Sequence, residues 1–99
     1  MKEVPKSSKR VALVRYRRED WDRWRRSVDD PEVFQGPFEE WREKAEAMAQ
    51  RLEQARLEIV WIEVDPDQIT EWCRARGCLN VNERRMQFAA EQIGNVRIH

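Results

Sequence analysis

The sequence predicts an α/β domain: a small two- to three-stranded, mainly parallel sheet with about four helices, in the order β-α-α-β-α-α. Two short runs rich in β-branched and aromatic residues, 11–17 and 59–64, supply the strands. Roughly forty residues of helical periodicity separate them, which suits a parallel crossover and not a hairpin. The length of 99 residues fits one domain and leaves no room for a multidomain enzyme.

The polar stretch 1–9, with Pro5, Ser7 and Ser8, reads as a flexible tail, and 10–99 as the single domain. In the first strand Ala12, Val14 and Tyr16 share one face and Val11, Leu13 and Arg15 the other. Trp21, Trp24 and Val28 then recur at i, i+3 and i+7, giving a short helix one apolar stripe that stops at Asp29, Asp30 and Pro31. Asp30 followed by Pro31 suggests a capped helical turn inside this connection.

Gly36 and Pro37, with Glu39 and Glu40 behind them, form a strong helix start. The seam of Phe38, Trp41, Ala45, Met48, Leu52 and Ala55 predicts an amphipathic helix of about five turns. The second strand carries Val60, Ile62 and Val64 on one face. Asp65, Pro66 and Gln68 then open a helix in capping order, with Ile69, Trp72 and Cys73 facing inward and Gly77 closing it in the left-handed region. Asn80 to Glu83 is a second capping signature, followed by a stripe of Met86, Ala89, Ala90 and Ile93 that ends before Gly94. The segment 95–98 reads as a short strand or a docked tail.

Two strands make a poor independent sheet. Either 96–98 adds a third, or the sheet is completed by a second copy of the chain, and the second option also supplies apolar burial that so short a chain lacks. A homodimer is therefore the expected partner arrangement.

Composition narrows the functional classes. Five Trp, three Phe and one Tyr supply the apolar area of a folded domain despite 38% charged residues and a mean hydropathy of −0.93. No run approaches the ~18 apolar residues of a membrane span and no signal-peptide core is present, so a cytoplasmic location is expected and a membrane partner is not. Cys73 and Cys78 fit neither a C-x-x-C pair nor a disulfide framework, and one histidine at position 99 leaves a Cys/His zinc site or a Ser-His-Asp triad without its parts. No phosphate-cradling glycine motif occurs among three glycines. No cofactor or metal is expected.

The net charge of zero conceals an asymmetry. Residues 1–26 hold ten Lys or Arg against four Asp or Glu, and residues 27–99 hold nine against fifteen, so a +6 segment precedes a −6 remainder. Arg15, Arg17, Arg18, Arg23 and Arg26, interleaved with Tyr16, Trp21 and Trp24, are candidates for anion or nucleic-acid binding, since arginine forks grip phosphates and aromatic rings stack on bases. The plainer reading is a solvated, internally paired face, because Glu19, Asp20 and Asp22 lie among the arginines. Residues 10–57 also fit the strand-helix-helix order of a ribbon-helix-helix DNA-binding domain, although their connection is long and the apolar strand at 59–64 has no place in one.

Ligands of open α/β sheets bind beyond the carboxyl ends of the strands, which gathers Arg17, Arg18 and Asp20 near Asp65 and Asp67. Asp65 and Asp67 are thus acidic candidates for a metal-assisted enzyme acting on a phosphorylated substrate; the plainer reading makes them helix-start residues. Trp41, Trp61 and Trp72 read as core, ahead of a ligand cage.

The stretch 59–77, a strand ending in an acidic residue, Pro and Asp and leading into Ile-Thr-Glu-Trp-Cys-Arg-Ala-Arg-Gly, resembles a segment of short uncharacterised bacterial proteins of about this length, as does the Phe-Glu-Glu-Trp helix start upstream. The resemblance spans most of 11–93 and implies a bacterial, cytosolic protein; it brings no activity with it. The functional expectation is a non-catalytic homodimeric association module, with a small nucleic-acid-binding regulator and the metal-assisted enzyme as alternatives.

Overall fold

The computed structural model describes residues 9–96, with side chains through residue 93. Strand β1 (Arg10–Arg15) is followed by a 3-10 turn at Arg18–Asp20, helix α1 (Trp21–Ser27), a second 3-10 turn at Pro31–Phe34, and the long helix α2 (Phe38–Gln54). Strand β2 (Glu58–Glu63), helix α3 (Pro66–Arg76) and helix α4 (Asn82–Val96) complete the α/β order. Among the described residues the sheet has two strands, paired in parallel. The tail reading of 1–8 lies outside the described residues.

The register sets Arg10 opposite Glu58 and Arg15 opposite Glu63, with Val11, Ala12, Leu13 and Val14 opposite Ile59, Val60, Trp61 and Ile62. Each strand is an apolar run bounded by charges of one sign, basic on β1 and acidic on β2. Parallel pairing in register matches both ends, and an antiparallel pairing would match them too, so the crossover length decides direction while the charges oppose one-sided slippage.

One face of the sheet, carrying Ala12 and Val14 and continued by Tyr16 and Val64, meets α1 through Trp21 and Trp24, α3 through Ile69 and Cys73, and α4 through Phe88 and Ala89. Phe34 of the second 3-10 turn fills the centre. Its ring stacks on Trp24 at 5.9 Å and meets Tyr16 edge-on at 5.0 Å, while Tyr16 meets Trp24 edge-on at 4.8 Å. Rings in these geometries add attraction beyond their burial. The Trp21 indole donates to the Gly36 carbonyl at 2.9 Å and Arg25 Nε to the Phe34 carbonyl at 2.9 Å, fixing the connection against α1.

Three expectations are corrected. Asp30 does not cap its own turn with its side chain; the carboxylate reaches across the fold, and Oδ2 accepts the Asn82 N–H at 2.8 Å at the start of α4. The buried stripe of α4 is Arg85, Phe88 and Ala89, while Ala90 faces solvent, because the helix is rotated to bring the Arg85 guanidinium onto Asp30. The helix also runs through Gly94 to Val96, so 95–96 are helical; residues 97–99 lie outside the described part.

Candidate functional site

The carboxyl ends of both strands converge, as the open-sheet geometry requires. Arg23, on the first turn of α1, donates to Asp20 at 3.0 Å, pairs with Asp67 at 3.1 Å and lies 3.8 Å from Asp65. The Asp20 carboxylate is buried between two arginines, since Arg17 Nε donates to its other oxygen at 3.1 Å. The hydrogen bond and charge of Asp20, with Glu19 beside it, raise the Arg17 pKa further. Arg18 leaves this cluster: its guanidinium pairs with Glu39 and lies over the Phe38 ring at 4.9 Å. Arg15 lies over the Trp61 ring at 4.7 Å, and Arg26 is exposed on α1.

Asp65 is occupied as a helix cap. Its Oδ2 accepts the N–H groups of Asp67 at 2.9 Å and Gln68 at 3.4 Å, which satisfies two orphan donors at the start of α3. Asp67 extends into solvent toward Arg23. The sequence-predicted residues thus separate: Arg17, Arg23, Asp65 and Asp67 share one rim with Asp20, whereas Arg15, Arg18 and Arg26 point elsewhere. Among the described residues no three His, Cys, Asp or Glu side chains are grouped to hold a metal ion.

A second feature lies away from this rim. A groove of about 220 Å³ is lined by Leu13, Val14 and Tyr16, by Trp41, Lys44, Ala45 and Met48 of α2, by Trp61 of β2, and by Asn82 and Met86 of α4. Successive strand residues point to opposite faces, so a groove touching Leu13 and Val14 passes the edge of β1, and its inner edge is taken by β2. The walls are mainly apolar. Ile59, Val60, Trp61 and Ile62 of β2 are each only half-buried, Met48 is 45% exposed, and Ala49 is the one buried residue of α2.

The third feature is a buried charge network that the sequence reading did not single out. Arg85 is fully buried. Its Nη1 and Nη2 donate to the two oxygens of Asp30, each at 2.9 Å, Nη1 also reaches the backbone and side-chain oxygens of Asn80 at 3.1 Å, and Nε donates to the Tyr16 hydroxyl at 2.8 Å. Burial lowers the Arg85 pKa, but the Asp30 hydrogen bonds and the contacts with Tyr16 outweigh it and leave the pKa raised. Burial raises that of Tyr16, against the opposing pull of the guanidinium. Asp29 adds a main-chain clasp: its N–H donates to the Asn80 carbonyl at 2.9 Å and its carboxylate accepts the Asn80 N–H at 2.8 Å. The only signal in the sequence is Arg85 at three and four residues before Phe88 and Ala89.

Comparison with known proteins finds no family model, no curated protein and no solved structure that matches this chain.

Proposed function

We propose that this protein is a non-catalytic association module that works as a cytoplasmic homodimer, its two copies meeting over the α2–β2 face. The observation that supports it most is the incompletely covered apolar surface formed by Met48 and Ala45 of α2 and Trp61 of β2 along the groove. Exposed apolar patches on small soluble domains commonly mark association sites. The free state of both cysteines fits a reducing compartment.

Charge favours this face over sheet extension. Two copies of β2 paired antiparallel about the strand centre set Glu58 opposite Glu63, and two copies of β1 set Arg10 opposite Arg15. Like charges directly opposite one another destabilise such pairs, and charged edges are a common guard against them. The rim arginines Arg17 and Arg23 do not compete with this reading, since both are engaged by Asp20, and Arg18, away from the rim, is engaged by Glu39.

Sedimentation equilibrium over the micromolar range tests the proposal. The expected mass is twice the 12.0 kDa of the chain, and Met48→Glu should raise the dimer dissociation constant by about tenfold or more, since burying such a side chain contributes on the order of 1.5–3 kcal/mol. A 12.0 kDa species at every concentration, or a Met48→Glu variant that dimerises like the wild type, overturns it.

A further inference from the structure

We propose that Cys73 and Cys78 form a reversible redox pair, a site at which small organic disulfides of the glutathione class oxidise the protein to an intramolecular disulfide across the C-terminal cap of α3. The spacing of these cysteines matches no common redox motif, and the fold supplies what the spacing does not.

Helix α3 ends with Gly77 in the left-handed region, at φ 66° and ψ 32°. Around it the Cys78 N–H donates to the Cys73 carbonyl at 3.1 Å and the Gly77 N–H to the Arg74 carbonyl at 3.2 Å. These are the paired six-to-one and five-to-two bonds of a Schellman cap, a motif whose first and last side chains characteristically touch. In most proteins that contact is between apolar groups; here both positions are cysteines, and the neighbouring Cys78 is one of the causes that raise the Cys73 pKa. The six-to-one bond folds the backbone of residue 78 back onto that of residue 73, the close approach that a disulfide, with its Cα span of roughly 4.4–6.8 Å, requires. Ring closure therefore needs side-chain rotation and little movement of the backbone.

The two thiols are unequal. Cys73 is buried, and its thiol also points at the Leu79 carbonyl at 3.7 Å; Cys78 is half-buried. Both line a surface depression of about 190 Å³ together with Arg74, Asn80 and Asp29. Arg74 is exposed there and complements the carboxylates of a glutathione-type disulfide. The Asp29 carboxylate is engaged by the Asn80 N–H. The more accessible Cys78 is therefore the attacking group and the buried Cys73 the resolving one; burial, followed by the neighbouring Cys78 thiol, also pushes the Cys73 thiol up to about 11.

The Cys78 thiolate attacks one sulfur of the small disulfide, forming a mixed disulfide and expelling one small thiolate, which takes up a proton. Cys73 then loses its proton to solvent and attacks Cys78 Sγ, breaking the mixed disulfide and releasing the second small thiol. Two protein thiols are oxidised by two electrons, and one small disulfide is reduced to two thiols. The bond formed ties down the chain just before Asn80, the residue that holds both Asp29 and Arg85.

The test exposes the reduced full-length chain to excess oxidised glutathione, quenches with acid and reads the intact mass. The expected product has lost two hydrogens, carries no adduct, migrates as a single chain on a non-reducing gel and is restored by dithiothreitol. Cleavage after Arg74 and Arg76 separates the two cysteines in sequence, so the internal bond is read as a linked peptide pair. Cys73→Ser should stop at one glutathione adduct on Cys78, and Cys78→Ser should react at least tenfold more slowly than Cys73→Ser, with unchanged far-ultraviolet circular dichroism in both. A wild-type chain that accumulates glutathione adducts, forms disulfide-linked dimers or stays reduced overturns the proposal.

Discussion

Arg85 is the residue whose environment departs furthest from what its chemistry prefers. A guanidinium taken fully out of water is tolerated when its charge is paired and its N–H groups are used, and Asp30, Asn80 and Tyr16 provide both conditions. Removal of either partner leaves the other charged and buried. Arg85→Met and Asp30→Asn should each destabilise the fold by about 3–5 kcal/mol, read as a lower urea midpoint. The double variant should lose much less than the sum of the two, because the stranded charge is then gone; additive losses would show that the two groups act independently. Arg85→Lys should rescue little, since an ammonium cannot span both Asp30 oxygens while also reaching Tyr16. Tyr16 gives the network an optical reporter, being the chain's only tyrosine. In the folded state its pKa is raised above 10.0, chiefly by burial. The folded chain thus holds this proton where the unfolded chain releases it, so the stability contributed below pH 10.0 is lost as pH rises through the folded value. The phenolate absorbance of the native protein should begin at higher pH than in urea, and Tyr16→Phe should flatten the alkaline loss of stability. Cys73, pushed up from 9.0 to about 11, contributes with the same sign, so the comparison belongs in a Cys73→Ser background.

Helix α3 shows how local sequence signals become an element. Asp65 accepts two first-turn N–H groups, Pro66 needs no partner for its own nitrogen, and Gly77 takes the left-handed φ that closes the helix. Asp65→Ala should cost about 1 kcal/mol of stability. Gly77→Ala should cost roughly 1–2 kcal/mol through backbone strain alone, because a Cβ there meets no atom within 4 Å. A loss well above that range in thermal or urea unfolding would indicate a steric role for the glycine. The same signals explain what the sequence discloses. The ends of α3, the Trp21 and Trp24 stripe of α1 and the two strands are each written in neighbouring residues, and each forms within two residues of where the pattern places it, β1 ending at Arg15 and β2 at Glu63. The Asp30–Arg85 pair spans 55 residues, so nothing near Asp30 distinguishes a carboxylate that caps its own turn from one that crosses the fold to α4. The proximity of the two cysteines is likewise legible only once the Gly77 cap is known to bring positions 73 and 78 together. Along α2 the seam is readable, but periodicity marks which side chains share a face and leaves open how far along the helix that face is covered.

At the scale of the whole molecule, coverage is uneven. The radius of gyration is 15.0 Å, against roughly 13 Å for a compact chain of about this length, and the extents are 52 × 31 × 19 Å. In helix α2 the amino-terminal turns carry Phe38 and Trp41 onto the aromatic cluster, while the later turns present Met48 to solvent. The α1–α4 side of the fold is closed by the Asp29, Asp30, Asn80 and Arg85 contacts. A single chain should therefore open locally at the carboxyl-terminal half of α2 long before it opens at β1 and α4, since local stability follows buried contact. Covering the α2–β2 face with a second copy adds its binding free energy to the opening of those turns and to no comparable degree elsewhere. Amide hydrogen exchange measured at two protein concentrations, one below and one above the dissociation constant found by sedimentation, separates the cases. Protection over residues 45–54 should rise by tenfold or more with concentration while protection in β1 stays constant. Protection in α2 that is independent of concentration would place the contact elsewhere, and a uniform rise across the chain would mean that dimerisation stabilises the fold globally without using this face.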